Sequence, residues 1–392
     1  MVGAAVFEAV VFGALHFGAL SFGALSFGAL SFGAMMTCEA RFEVIEVQPS
    51  VNDLLREKYS RQILFAGLGE QGQERLVASS AVVVGCGAIG AASANLLVRA
   101  GVGRIRIIDR DFVEPSNLQR QTLFDEADAR DALPKAVAAE RKLRSLNSSV
   151  SVEGIVADVN PRNAGELLAG FDVILDGTDN FETRFLVNEF AVKSGQTWIY
   201  AAAVASYGLT MTIRSGLTPC LACLLPADRR GQGLEETCDT IGVLGSIVNL
   251  IASLEATEAI KLLAGRDSDL HGRLISCDVW TGHFQSVRVA RNPECPVCVD
   301  REFAYLDGTA QPHITMCGRD SVQIHERGRV LDLATLKARL ASTVDDVRQN
   351  DFLLRFRIDP YEMTVFTDGR AILKGTKDPA VARSLYARYI GT

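Results

Sequence analysis

The residues best placed to do chemistry lie between Ala81 and Lys135. The run Ala81-Val-Val-Val-Gly85-Cys86-Gly87-Ala88-Ile89-Gly90 reads as a buried strand, a glycine turn and the start of an apolar helix. Gly85 allows the tight turn, Gly87 lets backbone approach a phosphate beside Ala88, and Gly90 lets the helix pack on the strand. Asp109 closes the next apolar run, Ile105-Arg-Ile-Ile108, at the place of a ribose-binding acid. To this point a nicotinamide-dependent oxidoreductase fits equally well. Ser116-Asn117-Leu-Gln-Arg120-Gln121 and Pro134-Lys135 follow. Two cations soon after the acid, Arg120 and Lys135, suit a triphosphate better than a nicotinamide.

A second group is built from thiols. Cys220-Leu-Ala-Cys223 and Cys295-Pro-Val-Cys298 are two C-x-x-C pairs. Four thiolates so paired can close a tetrahedral zinc site, provided the fold brings the distant pairs together. The alternative is buried or free cysteine, or one redox pair. A closed four-sulfur site is structural, because it leaves no open position for a reactant. Cys238, in Glu-Thr-Cys238-Asp-Thr, precedes an apolar helix pattern. A helix N-terminus lowers a thiol pKa, so Cys238 is either a reactive cysteine or an ordinary loop residue. Cys86, inside the glycine turn, reads as inert.

These groups need a rigid frame, and the chain has the means to make one. It has 392 residues, 48% hydrophobic and 22% charged, which allows two domains or one large domain with an appendage. The net charge of −7 argues against nucleic acid as the main partner. Nine cysteines, four in metal spacing, point to a reducing, cytoplasmic compartment rather than to a disulfide framework. Outside the first segment no apolar run is long enough to span a membrane. That segment, residues 11–35, repeats Phe-Gly-Ala-Leu with a period of five that matches neither helix nor strand. With no Lys or Arg before Arg41 it also lacks the basic leader of a signal peptide. Residues 1–36 therefore read as low complexity.

Beyond it, strands are expected near 81–85, 104–109, 150–156, 172–176, 197–202 and 208–214. Helices are expected near 53–58, 88–100, 134–145, 162–169, 181–194 and 242–264. Short apolar strands between such helices predict an α/β fold with a doubly wound, mostly parallel, Rossmann-like sheet. Strands near 272–277 and 283–290 would close it as an antiparallel pair. A polar linker at 307–312 then leads to a small α+β module over 313–392. Its expected parts include a helix at 333–340, a strand at 352–358, a hairpin at 361–374 turning at Asp368-Gly369, and a helix at 379–389.

Taken in order, these motifs resemble the MoeB/ThiF family, whose members activate small ubiquitin-like sulfur-carrier proteins. The resemblance spans about residues 55–300. It rests on Tyr59-Ser-Arg61-Gln62, Gly85-x-Gly87-x-x-Gly90, Asp109-x-Asp111, Asn117-Leu-Gln-Arg120-Gln, Pro134-Lys135, Asp176-Gly-Thr-Asp179-Asn180 and both cysteine pairs. It implies an adenylation domain over 52–306 that uses Mg-ATP to adenylate the C-terminal Gly-Gly carboxylate of a MoaD- or ThiS-like carrier. It further implies that Arg120 and Lys135 neutralise the triphosphate and that Asp179 holds magnesium. Asp109 would bind the ribose, while Asp111, Ser116, Asn117, Gln121 and Asn180 complete the nucleotide site. Arg61 would reach into the neighbouring subunit of a homodimer. Asp179 could instead cap the helix near Phe181. Adenylation of a different target in the same superfamily stays open, as does the role of the tail.

Because the repeat fits no amphipathic element and precedes the resemblance, a chain beginning at Met36 is expected to keep its fold and activity. Thermal melting and gel filtration of the shortened chain check this, and loss of folding would refute it.

Overall fold

The computed structural model describes residues 51–225, 241–309, 321–324, 331–376 and 378–391. The repeat, Cys238 and residues 310–312 of the expected linker lie outside the described residues. Helices α1 (Val51–Ile63) and α2 (Gly69–Ala78) lead into the alternating part of the chain. That part runs β1 (Ser80–Val84), α3 (Ala88–Ala100), β2 (Arg104–Ile108), α4 (Glu126–Arg130), α5 (Lys135–Leu146), β3 (Ser151–Ile155), α6 (Ala164–Leu168), β4 (Val173–Asp176) and α7 (Phe181–Ser194). It continues with β5 (Thr197–Val204), β6 (Tyr207–Ile213), α8 (Leu221–Leu224), α9 (Gly245–Leu263), β7 (Leu274–Asp278) and β8 (His283–Val287).

These strands form one sheet in the order β3-β2-β1-β4-β5-β6-β7-β8. The first five are parallel, and β6, β7 and β8 extend the sheet antiparallel. The central strands are apolar on both sides because helices cover both faces: Ala81 to Val84 and Val173 to Leu175 are almost fully buried. On one face α3 and α9 meet through Ala91, Ala94, Leu97, Ala256 and Ala259. On the other, α7 and the cysteine-bearing loops pack together. Small residues in α3 let its backbone lie close to the sheet. Gly101 ends α3 in the left-handed region at φ 86°, its N–H bonding the Leu97 carbonyl at 3.1 Å.

The order of strand succession reverses at β1, which lies between β2 and the parallel β4, and this opens a crevice at the carboxyl ends of β1 and β4. Here two loops touch backbone to backbone. A Cβ on Gly90 would sit 1.9 Å from the Gly85 oxygen, and one on Gly177 would sit 2.1 Å from the same atom. Gly85 itself has φ 86°, which places the turn out of reach of most side chains.

A second sheet is antiparallel, in the order β10-β11-β12-β13-β9, built from β9 (Ser321–Ile324), β10 (Asp345–Gln349), β11 (Leu353–Ile358), β12 (Tyr361–Phe366) and β13 (Ala371–Lys374). Helices α10 (Leu333–Leu340) and α11 (Pro379–Tyr389) cover it around Leu336, Phe356, Leu373 and Tyr386. The expected helices and hairpin of this module are present and β10 is an addition, as are α2, α4 and α8 in the main domain. Charged β10, Asp-Asp-Val-Arg-Gln, carries no apolar alternation that would have announced a strand.

The contact geometry separates the three glycines of the turn. Gly90→Ala must displace backbone and is expected to lower the melting temperature by several degrees, at about 1–3 kcal/mol for overpacking. Gly87→Ala, whose Cβ would lie 3.6 Å from its nearest neighbour, is expected to melt within about a degree of the parent. Parallel thermal melts check the contrast.

Candidate functional site

The crevice is lined first by backbone. The Cys86 N–H donates to one oxygen of Asp109 at 2.6 Å, and the Asp111 N–H donates to the other at 2.6 Å. The strand-end carboxylate is thus fixed against the glycine turn. Burial raises its pKa to about 6, with Asp111 adding to the rise and Lys135 opposing it. Cys86 is buried, and burial together with Asp109 pushes its thiol well up, so it is a poor nucleophile.

Lys135 opens α5 behind Pro134, buried, with Nζ 3.3 Å from Asp111. Burial works against its charge, yet Asp111, Asp109 and Asp179 outweigh it, so its pKa is raised. Arg110 is a residue that spacing alone passes over. It pairs with Asp158 at 3.0 Å, and Asp158, Asp111, Asp179 and Asp109 together overcome its desolvation. Two cations among four carboxylates therefore occupy the carboxyl edges of β1 to β4. Arg110 lies between Asp109 and Asp111, and Asp158 follows the end of β3.

Asp179 is exposed at the tip of the loop after β4. Asn180, not Asp179, caps α7, accepting the Thr183 N–H at 2.8 Å. The capping alternative for Asp179 is thereby removed. Beneath it, Asp176 is buried and held by Arg184 at 3.0 Å and by Thr178 at 2.6 Å. The Asp176 N–H donates to Glu255 at 2.7 Å, and Glu255 accepts the Ser93 hydroxyl at 2.5 Å. Burial pushes the Glu255 carboxyl well up. Sequence reasoning missed Glu255, one of two buried carboxylates in a mostly apolar helix.

The loop before α4 carries the other polar residues. Pro115–Asn117 is one turn of 3-10 helix, and Asn117 and Gln121 are buried. The Asn117 side-chain oxygen accepts the Glu114 N–H at 3.0 Å, which fixes the amide. Asn117 Nδ2 and Gln121 Oε1 have no hydrogen-bond partner among the described residues. Buried polar atoms without partners are costly, on the order of 1–3 kcal/mol each, and a polar ligand would relieve that cost. Arg120 is half-buried and donates to the Ser116 carbonyl at 2.9 Å, while Ser116 is exposed. The loop lies against α9, where a Cβ on Gly245 would come 3.0 Å from the Gln119 oxygen.

Arg61 is not part of this assembly. It is exposed in the last turn of α1, beside Tyr59, which packs on Gly101, and Gln62, which donates to the Ala100 carbonyl. Those contacts are at the far end of α3 from the glycine turn, about 20 Å along a 13-residue helix.

The two cysteine pairs do converge. Sγ atoms of Cys220 and Cys295 are 3.7 Å apart, those of Cys223 and Cys298 3.5 Å, and all four lie within 4.8 Å of one another. Zinc–sulfur bonds of about 2.3 Å in a tetrahedron put sulfurs about 3.8 Å apart, so the donor set fits zinc. Crowded together, the thiols oppose one another. A hydrogen bond to Cys223 raises Cys220, the same bond lowers Cys223 to about 4, and burial raises Cys295 to about 11. A dication removes that conflict by favouring all four thiolates.

A model of the ThiF family matches residues 59–297, which takes in the glycine turn, both cations, the β4 loop and three of the four paired cysteines, Cys220, Cys223 and Cys295. The chain belongs to the ThiF family. It is 45% identical over 338 residues to the sulfur carrier protein ThiS adenylyltransferase of Bacillus subtilis, spanning 85% of this chain and 99% of that protein. It is 38% identical over 249 residues to a sulfur carrier protein adenylyltransferase of Thermus thermophilus, spanning 62% of this chain and 91% of that protein. Escherichia coli MccB, solved with ATP, superposes with a TM-score of 0.54 at 26% identity, covering 62% of this chain and 74% of that one. No helix among the described residues is long and apolar enough to cross a membrane.

The thiol geometry predicts one zinc per chain. Cys295→Ser is expected to lose the metal and to lower the melting temperature by roughly 10 °C. Metal analysis of freshly purified, reduced protein checks the first point, and the absence of zinc would refute it.

Proposed function

We propose that this ThiF-family chain adenylates the C-terminal Gly-Gly carboxylate of a small ubiquitin-like sulfur carrier at the expense of ATP. The observation that carries the reading is the convergence of Asp109, Asp111, Arg110 and Lys135 on the glycine turn. It occurs in a chain that matches a ThiS adenylyltransferase along nearly its full length. In the reaction a carboxylate oxygen of the carrier attacks the α-phosphorus of ATP. A new phosphorus–oxygen bond forms, the bond to the β-phosphate bridge breaks, and pyrophosphate leaves with that electron pair. The product is an acyl adenylate.

The residues suit this chemistry because its main obstacle is repulsion between two anions. Gly85, Gly87, Ala88 and Gly90 offer close backbone approach for the phosphates. Asp109, with a pKa near 6, is ionised at neutral pH and can accept from ribose hydroxyls. Asn117 and Gln121 each hold an unused buried polar atom for the nucleotide, with Asp111, Ser116 and Asn180 around them. Lys135 and Arg120 offset the charge that gathers on the transferring phosphate. Magnesium, which favours carboxylate oxygens, would be held by Asp179 and supply further charge neutralisation. Arg61, some 20 Å along α3 from its own glycine turn, would serve the site of a second copy if the chain forms the homodimer that this reading includes.

The zinc site is structural in this reading, tying the segment after β6 to the end of the adenylation domain over 52–306. In the same reading residues 313–392 are a small α+β module, whose described part carries the antiparallel sheet. Cys238, outside the described residues, would act only after adenylation, in sulfur transfer for molybdopterin or thiamine-type synthesis. An NAD-dependent oxidoreductase leaves both cations, Asp179 and the four thiols without a role. Adenylation of a different C-terminus is the nearer rival, and the carrier assay decides it.

Asp179→Ala is expected to lose at least about 100-fold in carrier-dependent pyrophosphate exchange, as for removal of one preorganised electrostatic group. Cys238→Ala is expected to leave that exchange within about twofold, because adenylation precedes any attack by a thiol. Exchange measured with a Gly-Gly-ended carrier checks both. Normal exchange in Asp179→Ala, or none in a folded Cys238→Ala, would overturn these roles.

A further inference from the structure

The C-terminal module touches the main domain at one telling place. Phe112 is buried with Leu353 of β11 and Phe366 of β12 in a cluster of its own. The Arg355 guanidinium lies 4.3 Å from the centre of the Phe112 ring, with Lys374 Nζ at 5.7 Å. Arg355 Nε and Nη2 are buried with no hydrogen-bond partner among the described residues, so the ring and Glu362, 3.8 Å away, are their main company. Lys374 also pairs directly with Glu114. A third contact comes from Asn350, whose Nδ2 donates to the carbonyls of Asp131 and Ala132 at 3.0 Å each.

These contacts fall on the two stretches that carry the nucleotide-site residues. Phe112 and Glu114 separate Asp111 from Asn117. Ala132 stands just before Pro134 and Lys135. The two stretches are themselves laced together: the Val113 N–H bonds the Leu133 carbonyl and the Lys135 N–H bonds the Asp111 carbonyl, each at 2.8 Å. Glu114 in turn orients Asn117, since its N–H donates to the Asn117 side-chain oxygen and so turns Nδ2 away, toward its unpaired position. A continuous chain of contacts thus runs from Lys374 through Glu114 to a buried amide of the nucleotide site.

We propose that the C-terminal module is a positioning element of that site, with Lys374 and Arg355 as positioning residues that hold the Asp111–Gln121 loop in its nucleotide-binding form. This rests on the adenylation reading above. Neither residue is expected to touch ATP. Their effect is on how much binding is lost to ordering the loop, so it falls on affinity rather than on the chemical step.

The test compares the full chain with Lys374→Met, Lys374→Arg, Arg355→Met, Glu114→Gln and the Lys374→Met/Glu114→Gln double variant. Affinity for a non-hydrolysable ATP analogue is read by calorimetry, and KM for ATP and kcat by carrier-dependent pyrophosphate exchange. Lys374→Met and Arg355→Met are expected to raise both Kd and KM by about 5- to 20-fold, as for contacts in one ion-pair network. The value of kcat at saturating ATP should stay within about twofold. Lys374→Arg should restore most of the affinity, and the double variant should be no worse than its worse single. Unchanged Kd and KM in both Met variants, a fall in kcat alone, or additive losses in the double variant would overturn the proposal. Should Lys374→Met unfold the module, Glu114→Gln on the other side of the pair reads the same link, and normal ATP affinity there would be equally adverse. A wild-type chain that binds no ATP analogue would defeat the adenylation reading itself, and the proposal with it; the wild-type measurement tells that case apart.

Discussion

Everything at the site depends on the contact between Gly85, Gly90 and Gly177. Three backbones meet where any Cβ on Gly90 or Gly177 would lie within about 2 Å of the Gly85 oxygen. Because they meet, α3 starts directly above the end of β1 and the β4 loop folds against the same turn. Its first consequence is that the Cys86 N–H faces the next strand and fixes Asp109. A further one is that Asp176 is buried and must be satisfied by Arg184, Thr178 and its own N–H bond to Glu255. A steric constraint of a few atoms therefore dictates a polar network that reaches into α9 and α7.

Charge is the second constraint, and it acts at the other end of the loops. Asp109, Asp111, Asp158 and Asp179 would repel one another if left alone. Arg110 and Lys135 are held among them at the cost of desolvation, and their raised pKa values show that attraction wins. Such an arrangement is ordered before any reactant arrives, which is what makes fixed charges more effective than water. It also keeps the cations from collapsing onto a single acid, since each faces several.

How much of this could be read from sequence follows from the range of each interaction. Strand and helix positions from 81 to 213 were legible because apolar runs and glycines act locally. Thus α3 and α7 were expected at 88–100 and 181–194, the bounds they have. The thiol pairs were legible because metal spacing is local within each pair, although their convergence across 75 residues is a property of the fold. Arg110, Asp158 and Glu255 were not legible. Their partners are distant in sequence, and a lone charge between two aspartates looks like a solvated spacer. The highly charged β10 and the glycine-rich start of α2 escaped because local propensity opposed their final state and tertiary packing overrode it.

The loop from Asp109 to Lys135 explains why the fold recruits groups from outside its main sheet. It contains only a single 3-10 turn and the five-residue α4, yet it bears most of the polar residues of the proposed nucleotide site. Long connections with so little regular structure have few internal hydrogen bonds to hold them, and rigid function on them needs external support. Apolar anchors such as Leu123 and Phe124 tie its far half to α3. In its near half Val113 joins the core with α3 and α5, while Phe112 and Glu114 are met by β11, β12 and β13. The cysteine-bearing loops show the same need, since a short α8 and an irregular segment there bring four thiols together within 4.8 Å at the edge of the second core cluster. Support thus reaches the irregular segments from two separate clusters, one around Phe112 and one around the four thiols.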